Sequence, residues 1–419
     1  MALSFGAELR ARRLAAGMSL SELAKLVNYS KSHLSKIENG TKVPGVMLAR
    51  LCDAALDADG VLAALAPDQL SFSPVPAARR ATAAGRWTIR LEPDGRGALS
   101  DTLGGHAGWE FRELMSWPAT ADRSNSRISE IVELSRQQFD QLRRMSQSLS
   151  SATMIPLLVA QTHAMRVSAG STDYPNPALL VMASRFAELT GWMCQEAGDD
   201  GGATWWTDLA VTFAEAGGDT RLSAYALVRR ADMAMYRRSG MTTVELARRV
   251  QRIDCGARIR ALAAQREAQG QAIVGDESSC FEALDRASRW FGQADDRVAE
   301  PVLGSSTVSD PVRMAAGWCF YDLGRPERAV ESLTRQFGDL PPWAARTRAR
   351  LGGRLALALL ATGDVTHGCT VLAQAIDDCS GLGSATVRAD FRTAVPYLNR
   401  YAGNSAARRV MPHLIDALV

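Results

Sequence analysis

The sequence predicts an all-α protein built in two parts, a small N-terminal group of five short helices and a long C-terminal array of helix pairs. Two observations predict this fold. In residues 1–66, apolar residues at helical spacing alternate with residues that cap and end helices. From about residue 127 the apolar pattern is helical throughout, and helix-breaking glycines recur at intervals of roughly 40 residues.

The charge of the chain is concentrated near the N-terminus. The whole chain of 419 residues carries a net charge of only +3, so it is not a uniformly basic coat for nucleic acid. Residues 1–50 alone contain eight Lys and Arg residues against three Glu, a net charge of +5. A small basic head on a nearly neutral body favours contact between the head and a polyanion; the alternative is a solvated basic face.

The cysteines and the hydropathy pattern predict a cytoplasmic protein. The seven cysteines are scattered and form no C-x-x-C pair, which is typical of reduced, buried thiols. The N-terminus has no charged-then-apolar signal segment, and no apolar run reaches the ~18 residues that a membrane span needs. We therefore expect neither secretion nor membrane insertion.

The first two helices have clear boundaries in the sequence. Residues 5–16 form an amphipathic pattern that Gly17 ends. A second helix is predicted at 20–27, with Ser19 as its N-cap. Glu22 lies three residues after Ser19 and completes a capping box.

A tight turn separates the second helix from the third. Asn28 tolerates the left-handed backbone conformation of such a turn, and Ser30 then caps a helix at 31–39. A fourth helix is predicted at 46–55 and a short fifth near 62–65. Five short helices with this turn are typical of a helix-turn-helix domain.

The stretch LRARRLAAGMSLSELAKLVNYSKSHLSKIENGTKVP resembles the Cro/CI-type (XRE family) helix-turn-helix domain over residues 5–66. The resemblance implies that the head binds double-stranded DNA and that 31–39 is the recognition helix in the major groove. Lys31, Ser32 and Lys36 are then expected to meet base edges. Ser30 and Lys42 are expected to contact phosphates.

The same resemblance assigns a structural role to one pair and leaves one contact missing. Arg13 and Glu38 match a buried ion pair that orients the recognition helix. Leu20 replaces the Gln that usually contacts DNA at the start of the second helix, and Asn28 replaces the usual turn glycine. Leu20 favours the alternative that the head is kept only for protein interaction.

Residues 69–125 are predicted to link a DNA-binding domain at 1–68 to a helical-repeat domain at 126–419. The linker is rich in Pro, Ser and Ala near its start, which is typical of a flexible tether. The alternating segment 87–91 followed by Pro93, Asp94 and Gly95 predicts a small β-hairpin.

The C-terminal array is predicted from glycines that could each separate two antiparallel helices. Four of these glycines are followed, five positions later, by a small residue; the four small residues are Ala203, Cys280, Ala329 and Gly368. This pattern resembles the tetratricopeptide repeat in an irregular form over about 175–419, and so predicts an α-solenoid. The turn glycines predicted on this basis are Gly198, Gly240, Gly275, Gly324, Gly363 and Gly403.

The combined arrangement resembles bacterial XRE regulators with a C-terminal tetratricopeptide-like domain. This resemblance implies a homodimer and a signalling peptide or small-molecule ligand bound by the helical domain. Arg229, Arg230 and Tyr236 are candidates for a ligand groove; the alternative is an exposed face with one packing residue.

The sequence contains no motif for catalysis, for a cofactor or for a metal. It has no Walker loop, no H-E-x-x-H and no G-x-S-x-G, and its five histidines lie far apart. We therefore expect a non-enzymatic protein with no cofactor. The main hypothesis is a sequence-specific transcriptional regulator, and the alternative is a helical-repeat adaptor whose head no longer reads DNA.

Overall fold

A computed structural model describes residues 4–66, 87–91, 97–101, 109–110, 125–170, 175–294, 302–305 and 307–418. Most of the predicted linker, including its tether and hairpin turn, lies outside the described residues. The chain divides into two compact units. One contains the N-terminal head and the helices from residue 227 onward, and the other contains the helices before that residue.

The head consists of five short helices around one apolar core. Their bounds are α1 Phe5–Ala15, α2 Leu20–Leu26, α3 Lys31–Glu38, α4 Val46–Ala55 and α5 Val61–Ala64. Leu9, Leu23, Leu34 and Leu62 are fully buried in this core. Each comes from a different helix, so the core ties the short helices together where local helix propensity alone would not hold them.

The turns of the head have the backbone geometry that its sequence predicts. Gly17, Asn28 and Gly40 have φ of 66°, 53° and 69°, all in the left-handed region. Asn28 therefore replaces glycine in the turn between α2 and α3 at little steric cost. The predicted capping box is also present: the Glu22 amide donates to the Ser19 side chain, and the Ser19 amide donates to Glu22.

A small antiparallel sheet lies within the predicted linker. Strands β1 Trp87–Leu91 and β2 Gly97–Asp101 pair in register from Trp87 opposite Asp101 to Leu91 opposite Gly97. Strand β3, Trp109–Glu110, pairs with the other side of β2. Two antiparallel strands thus lie where the sequence predicts a hairpin, and a third strand pairs with the second, while the turn between β1 and β2 lies outside the described residues.

The remaining described elements are helices, so the fold is all-α apart from the small sheet. α6 to α9 form the core of one unit around Phe139, Leu158 and Phe186. The later helices form the body against which the head packs. The bounds are α6 Asn125–Met145, α7 Ser151–Ser168, α8 Pro177–Ala197, α9 Asp200–Ala216, α10 Arg221–Tyr236, α11 Gly240–Gln251, α12 Ala257–Val274, α13 Glu277–Gly292, α14 Pro311–Asp322, α15 Pro326–Gly338, α16 Ala345–Thr362, α17 Val365–Cys379, α18 Ala385–Arg400 and α19 Ser405–Leu418.

Four of the six predicted turn glycines end a first helix. Gly198, Gly275, Gly324 and Gly363 follow α8, α12, α14 and α16 with φ between 76° and 87°. Only glycine adopts this conformation freely, so these residues fix the end of each first helix. The small residues five positions later are buried, which confirms that the paired helices approach closely there.

The prediction for Gly240 is wrong. Gly240 begins α11, and the turn before it is made by Arg238, with φ of 59°. A Cβ at Gly240 would lie 2.8 Å from the carbonyl oxygen of Gly270 on α12, so this glycine permits close helix packing. Gly403 lies in the turn between α18 and α19 but does not have a positive φ.

Three further findings concern the cysteines, membrane-spanning helices and metal-binding groups of the described residues. Six of the seven cysteines are buried and Cys379 is half-buried, and all seven are free thiols. No described helix is long and apolar enough to cross a membrane. Within the described ranges, no group of three or more His, Cys, Asp or Glu side chains is arranged to hold a metal ion.

Candidate DNA interface

The N-terminal end of α3 presents the first predicted contacts to solvent. Ser30, Lys31 and Ser32 are all exposed. The Ser30 hydroxyl oxygen accepts a hydrogen bond from the His33 amide at 3.2 Å and so caps the helix. Its own hydroxyl hydrogen stays available to donate, and a phosphate oxygen is a suitable acceptor.

The loop after α3 brings the other two predicted lysines together. The amides of Thr41 and Lys42 both donate to the carbonyl oxygen of Lys36, at 2.9 and 3.1 Å. The chain therefore folds back over the last turn of α3, with the exposed Lys36 and Lys42 close to each other. The pKa of His33 is lowered by burial and, in addition, by the positive charges of Lys42, Arg400 and Lys36.

Arg13 and Glu38 form a two-pronged ion pair between α1 and the end of α3. Arg13 Nε and Nη2 donate to the two carboxylate oxygens of Glu38 at 2.7 and 3.0 Å, and Nη1 donates to the Met18 carbonyl at 2.8 Å. The side chains are only 10% and 6% exposed. The hydrogen bond to Glu38 raises the pKa of Arg13. The pair fixes the direction of α3 relative to α1.

Leu20 belongs to the packing of the head. It is half-buried and packs against the apolar core at the start of α2. A leucine there offers no polar side-chain group to a nucleic acid, so any hydrogen bond from this position comes from the backbone.

The structure adds residues from the far end of the chain to the neighbourhood of α3. The guanidinium of Arg400 lies 3.7 Å from the centre of the Tyr29 ring, and Asn28 Nδ2 donates to the Tyr401 hydroxyl at 3.1 Å. Asn28 and Tyr29 make the turn that leads into α3. Sequence reasoning missed these contacts because Asn28 and Tyr401 are 373 residues apart and no local pattern links them.

A second group of contacts joins α4 to the body. Arg50 donates to Asp322 Oδ1 at 2.7 Å, and Arg238 donates to the same carboxylate at 3.0 and 3.1 Å. Burial lowers the pKa of Arg50 to about 10. Burial alone would raise the pKa of Asp322, but the charges of Arg238, Arg50 and Arg354 outweigh it and hold that pKa well below its usual value.

A row of polar side chains, most of them buried, runs along the first helices of the body. Asp232 on α10 pairs with Arg229 and Arg266, at 3.3 and 3.0 Å. Arg354 on α16 lies 4.5 Å from the Trp318 ring centre and pairs with an Asp390 oxygen at 2.7 Å. We call this set the polar row: Arg229, Asp232, Arg266, Gln269, Trp318, Arg354 and Asp390.

Of the three predicted groove residues, one belongs to the polar row and a second lies beside it. Arg229 is buried within it, and Tyr236 packs edge to face on Trp318 with ring centres 6.4 Å apart. Arg230 is exposed. Buried polar atoms of the row without a hydrogen-bond partner among the described residues include Gln269 Nε2, Trp318 Nε1, Arg354 Nε and Asp390 Oδ2.

Comparison with known proteins finds one similarity. The model of a helix-turn-helix domain family matches residues 4–66, which is the whole described head. Neither the curated proteins nor the solved structures contain a match. The head is therefore a helix-turn-helix domain of the kind that DNA-binding regulators carry. The match covers the head only, and the body has no counterpart in these comparisons.

Proposed function

We propose that this protein is a sequence-specific, DNA-binding transcriptional regulator of the Cro/CI (XRE) type. The observation that carries the proposal is the exposed basic face of α3 within a helix-turn-helix domain. Lys31, Ser32 and Lys36 read bases in the major groove, and Ser30 and Lys42 hold phosphates. Arg13 and Glu38 orient the helix without touching DNA.

The proposal assigns two roles to the helical region. It is a tetratricopeptide-like domain that dimerises the protein, because a single head reads only a half-site of a few base pairs. It also binds a peptide or small-molecule signal. The polar row supports this second role, since buried polar atoms without partners cost free energy unless something supplies the missing hydrogen bonds.

The proposed regulator acts in the cytoplasm, needs no cofactor and catalyses no reaction. The scattered, buried thiols support a reducing compartment. The sequence offers no nucleophile, base or metal-ligand motif on which to build a catalytic site.

Selection of duplexes from a random library by the full-length protein tests the proposal directly. We expect one sequence to be enriched and to show inverted half-sites, with a footprint that spans both. Competition with random duplex at several salt concentrations separates specific from electrostatic binding.

The failure of this experiment would favour the adaptor hypothesis. Leu20 is the observation behind that alternative, because it removes one expected polar contact with DNA. If the wild-type protein binds no duplex even at low salt, the head serves protein interaction.

A further inference from the structure

The head lies along one edge of the body, formed by successive turns. A Cβ on Gly275 would lie 3.0 Å from the Cα of Gly60, and a Cβ on Gly324 would overlap the carbonyl of Arg50. A Cβ on Gly363 would overlap the side chain of Asn28. We call these three glycine turns, together with Arg400 and Tyr401, the turn edge. The absence of side chains at the three glycines lets the backbone of the head approach this closely.

At one end of this contact, Arg50 of the head and Asp322 of the body form an ion pair that would break if the head detached from the body. Arg50 is only 6% exposed, and its hydrogen bonds go to Asp322 and to the carbonyl oxygen of Ile273, both in the body. Asp322 also keeps Arg238 as a partner. Detachment would break the charge-assisted bonds of Arg50 and return it to water, while Asp322 would stay paired.

The other end holds the turn in front of the recognition helix. Arg400 covers Tyr29, and Tyr401 accepts a hydrogen bond from Asn28. Tyr29 precedes Ser30, the N-cap of α3. The body therefore fixes the segment from which the recognition helix begins.

The exposed face of α3 remains open in this arrangement. Lys31, Ser32, Lys36 and Lys42 are all exposed while the head lies on the turn edge. Contact with the body consequently does not cover the predicted DNA-binding residues, and it restricts their position.

We propose that the turn edge is a docking surface for the chain's own DNA-binding head, and that the docked head is the form that binds DNA tightly. We call the ion pair between Arg50 and Asp322 at one end of the turn edge the latch. At the other end, the head is held by the contacts of Asn28 with Tyr401 and of Tyr29 with Arg400. Trp318 of the polar row precedes Asp322 by one turn of α14, so a signal bound at the row acts on the latch through that helix. The DNA part of this inference rests on the proposed function, and the docking part does not.

The test compares Arg50→Met with Arg12→Met in the full-length protein. Both remove one positive charge from the head, but Arg12 pairs with Glu8 within α1, whereas Arg50 pairs with the body. The first measurement is amide hydrogen exchange in residues 28–30, 50–60, 273–276 and 322–325. We expect Arg50→Met alone to speed exchange there roughly tenfold or more, as for the loss of one charge-assisted hydrogen bond.

The second measurement is affinity for the duplex that the wild-type protein selects. We expect Arg50→Met to weaken binding about tenfold or more relative to Arg12→Met, because an undocked head must be ordered again on DNA. Equal exchange in the two variants would overturn docking. Faster exchange with unchanged or tighter DNA binding would overturn the claim that the docked form is the binding form. If the wild-type protein selects no duplex, the proposed function fails, and the exchange comparison still decides docking.

A second pair of variants tests the surface from the side of the body. Gly324→Ala and Gly381→Ala both place a side chain at a left-handed backbone position, with φ of 76° and 73°. Only the Gly324 methyl would meet the head; nothing lies within 4 Å of the one at Gly381. We expect faster exchange in residues 50–60 for Gly324→Ala alone, and equal exchange would count against docking.

Discussion

At the scale of single residues, two buried arginine–carboxylate pairs carry different parts of the architecture. Arg13 and Glu38 join two helices of the head, whereas Arg50 and Asp322 join the head to the body. In both pairs a planar guanidinium meets a carboxylate away from water, a geometry that fixes direction as well as distance. Removal of Arg13 leaves Glu38 charged and buried, so that pair is sensitive to mutation, whereas Asp322 keeps Arg238 as a partner when Arg50 is lost.

We predict that Arg13→Ala destabilises the head by about 3–5 kcal/mol, the usual cost of an unpaired buried charge. Arg12→Ala is the control, because its partially exposed pair with Glu8 should contribute no more than about 0.5 kcal/mol. The measurement is the opening free energy of amides in α1 and α3 of the full-length protein by hydrogen exchange. Similar opening free energies for the two variants would show that the Arg13 pair does not hold these helices together.

We predict that Lys36→Ala costs roughly 1–3 kcal/mol of binding free energy on the selected duplex and less on random DNA. Lys36 is exposed on α3, the helix that we propose enters the major groove. The exposed Arg10→Ala on α1 is a control for loss of charge alone. Affinities on both duplexes at matched salt provide the comparison. If Lys36→Ala loses the same binding free energy on both duplexes, Lys36 contacts a phosphate and not a base.

At the scale of helices, glycines set how closely neighbours pack. Gly6 on α1 lies against the carbonyl of Ile37 on α3, where a Cβ would overlap the backbone. Gly240 on α11 lies in the same way against α12. The spacing of glycines predicted a turn at Gly240, because a sequence pattern does not distinguish a glycine needed for its φ from one needed for its small size.

We predict that Gly240→Ala destabilises the body by about 1–3 kcal/mol through overpacking. Its Cβ would lie 2.7 Å from Val274 Cγ1 as well as against the backbone of α12. Gly292→Ala is the matched control, because nothing lies within 4 Å of its Cβ, and we expect it to be neutral or slightly stabilising. Urea denaturation of both variants gives the comparison. Equal midpoints would mean that α11 and α12 can separate without cost.

The elements that could be predicted are those with local signals. Ser19, Ser30 and Asn28 mark the boundaries of α2 and α3 by capping and turn chemistry, and the structure has them in those roles. The alternating pattern likewise predicted the strand at 87–91. The contacts of Arg50 and Asn28 could not be predicted, because they depend on how distant helices pack and leave no periodic trace in the sequence.

At the scale of the whole molecule, the position of the head changes how DNA recognition by a dimer would work. A head on a free tether of nearly 60 residues can adopt many spacings. A head docked on the turn edge has its recognition helix fixed relative to α12 to α18. In a dimer of such bodies, the distance between the two recognition helices is a property of the body.

Docked heads and freely tethered heads differ in the half-site spacings that a dimer can bind. Two docked heads on one face of a duplex need recognition helices about 34 Å apart, one turn of DNA. Insertion of about 5 base pairs between the half-sites rotates one of them to the opposite face, and insertion of about 10 restores the face but adds about another 34 Å. We expect both insertions to abolish two-headed binding by the full-length dimer, with affinity falling to that of a single half-site.

Sedimentation of the full-length protein first establishes the dimer at micromolar concentration, and gel-shift titrations then compare the three duplexes. Arg50→Met, which should free the heads, is expected to regain binding to the longer insertion, because a tethered head can reach a half-site that a docked head cannot. Tolerance of the longer insertion by the wild-type protein would show that its heads are not held by the body. A monomer that still binds both half-sites together would place dimerisation in the head or on the DNA itself.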